Sequence, residues 1–203
     1  MTTAEMLTAF RFRMEDPDGE KWDSGSVTQV YNIFTLAQSI AVDSYFNSRR
    51  FNFLSELVKT TTIDFNSGPS DLPSDHYRPL MAKNDDGDDI LIAENYVPKF
   101  GSDTDYLRED DLNEYLYIIG NKIYLKGSVH SSGTYTYGYI NSLTDINANN
   151  NPATSQRIQD ATLAISTWIA WGIDRQFDRQ NEVGNLVKIL FGIELNNDSV
   201  PRS

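Results

Sequence analysis

The sequence predicts an α+β fold in which N- and C-terminal helices pack as a bundle with an antiparallel β-sheet or hairpin lobe inserted between them. Three observations predict it. Apolar residues recur at helical spacing toward both ends, the period drops to two in the middle, and a Gly-Asn pair separates two apolar runs that mirror each other. With 203 residues, 39% of them hydrophobic, the chain can bury a core of its own, and one domain over 1–203 is expected.

The first helix is expected over 2–15. Thr2-Thr3-Ala4-Glu5 reads as a capping box, and Met6, Phe10 and Met14 follow at a spacing of four. Asp16-Pro17-Asp18-Gly19 stops it with turn residues. A second helix, over 26–49, starts on Ser26 with Gln29 three residues on and carries Val30, Phe34, Ala37, Ala41 and Tyr45 along one side. Ile33, Leu36 and Ile40 widen that stripe, so this helix is expected to have neighbours on both sides, other subunits included.

The β lobe is expected over about 57–141. Ile63 and Phe65 alternate with polar residues, as do Ile90 and Ile92. In the run from Tyr115 to Leu125, Gly120-Asn121 can form a two-residue turn that pairs Tyr117 with Tyr124 and Leu116 with Leu125. Residues 134–140 add a strand with Tyr135, Tyr137 and Tyr139 on one face.

Helix returns after a polar linker over 147–151. Asn151-Pro152 supplies a cap and a first position for a helix over 152–178, marked by Ile158, Ala161, Ile165, Trp168 and Ile169. A charged stretch from Asp174 to Arg179 interrupts the period. Val183, Leu186, Val187, Leu190 and Phe191 resume it over 181–192, in the same helix or a second one, and Gly192 reads as the stop. A polar tail, 196–203, follows.

Composition narrows the chemistry. The absence of cysteine removes thiolate metal sites, and two histidines, His76 and His130, do not make a histidine-rich centre. A formal charge of -12 opposes tight wrapping of a duplex, because nucleic-acid affinity comes largely from Lys and Arg. No run of eighteen apolar residues is present, and Glu5, Arg11, Arg13 and Glu15 interrupt the stretch where a signal peptide needs apolar residues, so no membrane association and no export are expected.

The candidate sites resolve to structural readings. Asn84-Asp85-Asp86-Gly87-Asp88-Asp89 clusters carboxylates suited to Ca²⁺ or Mg²⁺, but Ile90, Leu91 and Ile92 follow where an EF-hand needs its later glutamate, so a solvated hairpin turn is favoured. Asp103, Asp105, Glu109, Asp110 and Asp111 read as a solvated loop. His76 has serines nearby but no nucleophile-elbow pattern, and His130 reads as a turn residue. The scattered glycines form no phosphate-cradling motif. The tyrosines of 134–140, together with Tyr115, Tyr117 and Tyr124, suit either cross-strand packing or a stacking platform, and packing is favoured. No enzymatic activity and no cofactor are expected.

Taken in order, these residues resemble the head-to-tail adaptor family of short-tailed and related phages, including the tail tubular protein A type. Asp16-Pro17-Asp18-Gly19, Trp22 and the helix carrying Ala37-Gln38 are similar to that family's opening. Those adaptors commonly have an asparagine before the alanine and glutamine, where Thr35 stands here. Leu72-Pro73-Ser74-Asp75-His76-Tyr77-Arg78-Pro79 resembles the family's Leu-Pro-x-Asp-aromatic-Arg segment. The Gly120-Asn121 hairpin, the aromatic strand and the helix after Pro152 also match it in order and spacing.

The resemblance implies a structural virion protein at the head-tail junction, a ring of twelve copies beneath the portal protein that joins a tail or nozzle protein. Genomic DNA would pass through without specific binding, along a wall whose negative charge repels phosphate. Subunit contacts are expected at Ile33, Leu36, Ile40, Trp168 and Trp171. Portal docking is expected at Asn196, Asn197, Asp198, Ser199, Val200, Pro201 and Arg202. The rival readings are a gatekeeper or tail-completion protein, a carbohydrate- or receptor-binding module, and a hydrolase using Asp85, Asp86, Asp88 and Asp89 with a divalent metal.

Overall fold

The computed structural model describes residues 1–22, 27–93, 115–126, 133–152 and 155–195. The chain divides into two compact units: Met1–Glu56 with Leu143–Ser203, and Leu57–Ser142.

The described helices belong to the first unit: α1 (Thr3–Arg13), α2 (Val27–Asn47), α3 (Gln156–Ile173) and α4 (Phe177–Phe191). The capping box of α1 forms as its sequence predicts. The Glu5 amide donates to Thr2 Oγ1 at 3.2 Å, and the Thr2 amide donates to the Glu5 carboxylate at 2.7 Å. Past the helix, the Asp16 carboxylate accepts from the Trp22 amide at 2.9 Å and more distantly from Lys21. These bonds, Trp22 first, hold its carboxyl below the usual range.

Asn151 does not cap α3; Ser155 occupies that position. Asn151 Oδ1 instead accepts from the Thr3 amide at 2.8 Å, because the first turn of α1 carries amides without helical acceptors. Thr35 and Gln38 on α2 also have a local task. Thr35 Oγ1 accepts from the Ile146 amide at 3.0 Å, and Gln38 Nε2 donates to the Thr144 carbonyl at 3.4 Å.

The most enclosed helix is α3. Every residue from Ala161 to Trp171 is buried, with α1, α2 and α4 packed around it. Its Ala, Ser and Thr side chains allow close approach, and the buried hydroxyls of Ser166 and Thr167 donate back to Thr162 and Leu163 carbonyls at 2.7 and 2.9 Å. The charged break separates two helices: α3 ends at Asp174, Arg175 takes a φ of 59°, and α4 begins at Phe177. Gly192, at a φ of 68°, caps α4 in the left-handed conformation.

The second unit corrects the predicted architecture. A terminal helical bundle with an antiparallel hairpin lobe does not describe the molecule. Instead, its strands form a seven-stranded mixed sheet curled into a nearly closed barrel. They are β1 (Val58–Asp64), β2 (Ser70–Asp71), β3 (His76–Lys83), β4 (Asp89–Ala93), β5 (Tyr115–Ile119), β6 (Lys122–Lys126) and β7 (Thr134–Asn141), in the order β1-β7-β3-β4-β5-β6-β2.

One pairing, β4 with β5, is parallel. Periodicity reports which residues share a face and is blind to strand direction. A parallel pair needs a connection of about a dozen residues or more, and the stretch between Ala93 and Tyr115 is long enough.

The hairpin has its expected register, Tyr117 opposite Tyr124 and Leu116 opposite Leu125, with Gly120 at a φ of 62° in the turn. The Tyr117 and Tyr124 rings stack at 5.0 Å. The aromatic strand β7 does not extend that hairpin; it lies between β1 and β3. Pro79, inside β3, is tolerated beside a register shift, where no ladder amide is required of it. The buried face gathers Ile63, Phe65, Ala82, Leu116, Ile123, Tyr135, Tyr137 and Tyr139.

Candidate functional site

Two features of the described residues carry chemistry beyond packing, one in each unit. In the β unit, Lys59 on β1 lies opposite Tyr139 on β7, and both reach Asp75 in the turn before β3. Asp75 Oδ2 accepts from Lys59 Nζ at 2.5 Å and Oδ1 accepts from the Tyr139 hydroxyl at 2.8 Å. Beside them, His76 Nε2 lies 2.8 Å from the Tyr137 hydroxyl, and its ring stacks on that of Tyr137 at 5.9 Å.

The electrostatics follow from these contacts. The Lys59 bond, reinforced by Tyr139, holds the Asp75 carboxyl below its ordinary range. Burial, and then the bond to Asp75, raises the Tyr139 phenol. Burial lowers the His76 pKa, against the opposing charge of Asp75. These groups satisfy one another, and the arrangement ties the start of β3 to β1 and β7. The Pro73 carbonyl accepts from the His76 amide at 2.9 Å, which closes the turn that the Leu-Pro-x-Asp segment predicts.

The acidic segment after β3 is a hairpin turn into β4. Asn84 Oδ1 accepts from the Asp88 amide at 2.8 Å, Gly87 has a φ of 88°, and Lys83 pairs with Asp89 at 3.3 Å. Among the described residues, no three acidic or histidine side chains converge on a common point. Asp103, Asp105, Glu109, Asp110, Asp111 and His130 lie outside the described residues, as do the docking candidates Asn196 through Arg202. Tyr135, Tyr137 and Tyr139 are buried in the sheet, so they present no surface row on which a sugar ring or base could stack.

Three of the five expected contact residues lie in the helical core and two lie at its edge. Ile33, Trp168 and Trp171 are buried in their own unit, and Leu36 and Ile40 are half-buried. The two-sided stripe of α2 is used within the unit, by α3 on one side and by α1 through an edge-to-face contact of Phe34 with Phe10 at 5.4 Å.

The exposed apolar surface lies elsewhere. On α4, Leu186, Ile189 and Leu190 are 53%, 77% and 57% exposed, and on α1 Phe12 is 78% exposed. The helical period in the sequence runs through Leu186 and Leu190 and passes over Ile189. The available signal was five apolar residues among the six of 186–191, more than the one buried face of Val187 and Phe191 needs.

A groove of about 320 Å³ lies between α3 and α4, lined by Ala164, Thr167 and Trp171 of α3 and by Val183, Leu186, Val187, Leu190 and Phe191 of α4. Arg13 of α1 also lines it. Desolvation holds the Arg13 guanidinium below its ordinary pKa, offset in part by the charge of Asp160, and Arg13 makes no ion pair among the described residues. Neighbouring cations are engaged: Arg179 with Glu15, Lys188 with Glu194 at 2.6 Å, and Lys21 with Asp174 at 2.6 Å. The groove is lined mainly by apolar side chains and by one cation, Arg13.

Compared with known proteins, the chain matches no family model and no curated sequence.

Proposed function

We propose that the chain is a structural subunit of a tailed-phage virion, an adaptor that assembles as a ring beneath the portal protein and joins it to a tail or nozzle protein. The observation that carries this reading is the apolar ridge of Leu186, Ile189 and Leu190, exposed on α4 together with Phe12 on α1. Large exposed apolar residues so grouped are characteristic of a surface that another molecule covers.

Two further observations support it. The Lys59, Asp75 and Tyr139 bonds and the His76–Tyr137 bond make a bracket whose polar groups are taken up by one another, as a structural part requires. The resemblance to the adaptor family runs through the same turn, from Leu72 to Pro79. In this reading the charge of -12 lets the genome slide past a wall that repels phosphate.

The test mixes the full chain with portal rings from the same phage and looks by negative-stain microscopy for an added layer with the portal's symmetry. An added layer is the expected result, and a chain lacking 196–203 is expected to fold and yet add none. Absence of a layer with the full chain at micromolar concentration overturns the adaptor reading and favours a gatekeeper or receptor-binding role.

A further inference from the structure

The α1 surface and the α4 ridge differ in a way that makes them complementary. Along its exposed side, α1 presents the small residues Ala4, Thr8 and Ala9 in an open depression of about 600 Å³, bounded by Glu5, Phe12 and Arg13. The α4 helix presents large side chains, Leu186, Ile189 and Leu190, at spacings of three and four. Large residues of one helix seat against small residues of another when ridges enter grooves.

Charge adds a direction. Arg13 stands exposed at the C-terminal end of α1, without an ion pair among the described residues. Glu182 lies exposed on the ridge side of α4, one turn before Leu186, and it too makes no ion pair among the described residues, although Arg179 feels its charge. With the helices antiparallel and Glu182 opposite Arg13, Leu186 falls opposite Ala9, and Leu190 falls opposite the turn of Ala4 and Glu5. One register therefore satisfies both the sizes and the charges.

We propose that the chain self-associates through this face, the α4 ridge of one copy seating antiparallel on the α1 depression of the next, with Glu182 of the partner subunit on Arg13. The occupant is a second copy because the depression calls for a helix with a bulky apolar stripe and a carboxylate one turn before it, and α4 of this chain has both. Arg13 lines both the α1 depression and the groove beside α4, so the two unlike surfaces adjoin on one chain. The contact repeats from copy to copy toward a ring when each partner engages one of them, and closes as a twofold pair when two copies engage both. The inference deepens the ring reading and rests on it.

The experiment is sedimentation velocity of the full chain alone, up to about 0.1 mM, where an interface with a dissociation constant of about 10 µM is well populated. The wild-type chain is expected to show a concentration-dependent rise above monomer mass. Arg13→Glu and Glu182→Arg are each expected to weaken association about tenfold or more, with unchanged far-UV circular dichroism. Mixing the two variants is expected to restore association, since each interface then joins opposite charges, and the double variant is expected to recover it too.

A wild-type chain that stays monomeric throughout overturns the inference, as does association that neither variant alters. The portal-mixing result is separate. A chain that adds a layer to portal rings while remaining monomeric alone removes this contact and leaves the adaptor reading. A chain that self-associates through these residues but ignores portal rings does the reverse.

Discussion

Burial disfavours the charged form of His76, and the sign of its contribution follows from that. Burial puts its folded pKa below the ordinary 6.5, with Asp75 opposing, so an unfolded chain binds the proton more readily. Stability contributed by this residue is therefore present above about pH 6.5 and falls as the pH drops toward the folded value. Asp75 acts in a different window. Its carboxyl is depressed below 3.8, so its contribution is present above that pH and is lost as the pH falls through the lower folded value. Thermal unfolding followed from about pH 7 downward is expected to show one decline below about pH 6.5 and a further one below 3.8. His76→Gln is expected to remove the upper one and leave the lower one in place; a profile that His76→Gln leaves unchanged shows that another group titrates there.

At the scale of the elements, the ends of the helices carry separable contributions. Gly192 ends α4 at a φ of 68°, a conformation that costs an alanine about 1 kcal/mol. An added Cβ would also meet the Arg50 guanidinium, whose Nη1 donates to the Phe191 carbonyl at 2.8 Å. Gly192→Ala is expected to lower stability by at least about 1 kcal/mol in urea unfolding, with the slope on denaturant unchanged. The hairpin of β5 and β6 illustrates the opposite case, an element written wholly in local residues. Gly120 permits the turn, and the turn alone fixes which tyrosine faces which.

At the scale of the whole molecule, the charge of -12 opposes the compact state by self-repulsion. Raising salt from about 10 mM to about 150 mM shortens the screening length from about 30 Å to about 8 Å, and the unfolding temperature is expected to rise. A flat or falling response in differential scanning calorimetry counts against this account. The same charge bears on assembly. Like-charged copies repel at long range, so any contact between them needs an apolar patch and a local match of opposite charges, which the exposed faces of α1 and α4 carry.

What the sequence determined by itself is local. The Thr2-to-Glu5 capping box, the Pro73 turn before His76, the Gly120-Asn121 hairpin and the Gly192 stop each depend on residues within a few positions of one another. Periodicity likewise identified residues that are buried, including Phe34, Tyr137 and Trp168. It did not identify what buries them: Trp168 and Ile33 face their own unit, whereas Ile189 and Phe12 face outward. Strand order and direction, the parallel pairing of β4 with β5, and the meeting of Lys59, Asp75 and Tyr139 were decided only in three dimensions. The reason is physical. Turns and caps are short-range hydrogen-bond and dihedral preferences, but the neighbour of a strand or helix is chosen by which distant surface buries the most apolar area.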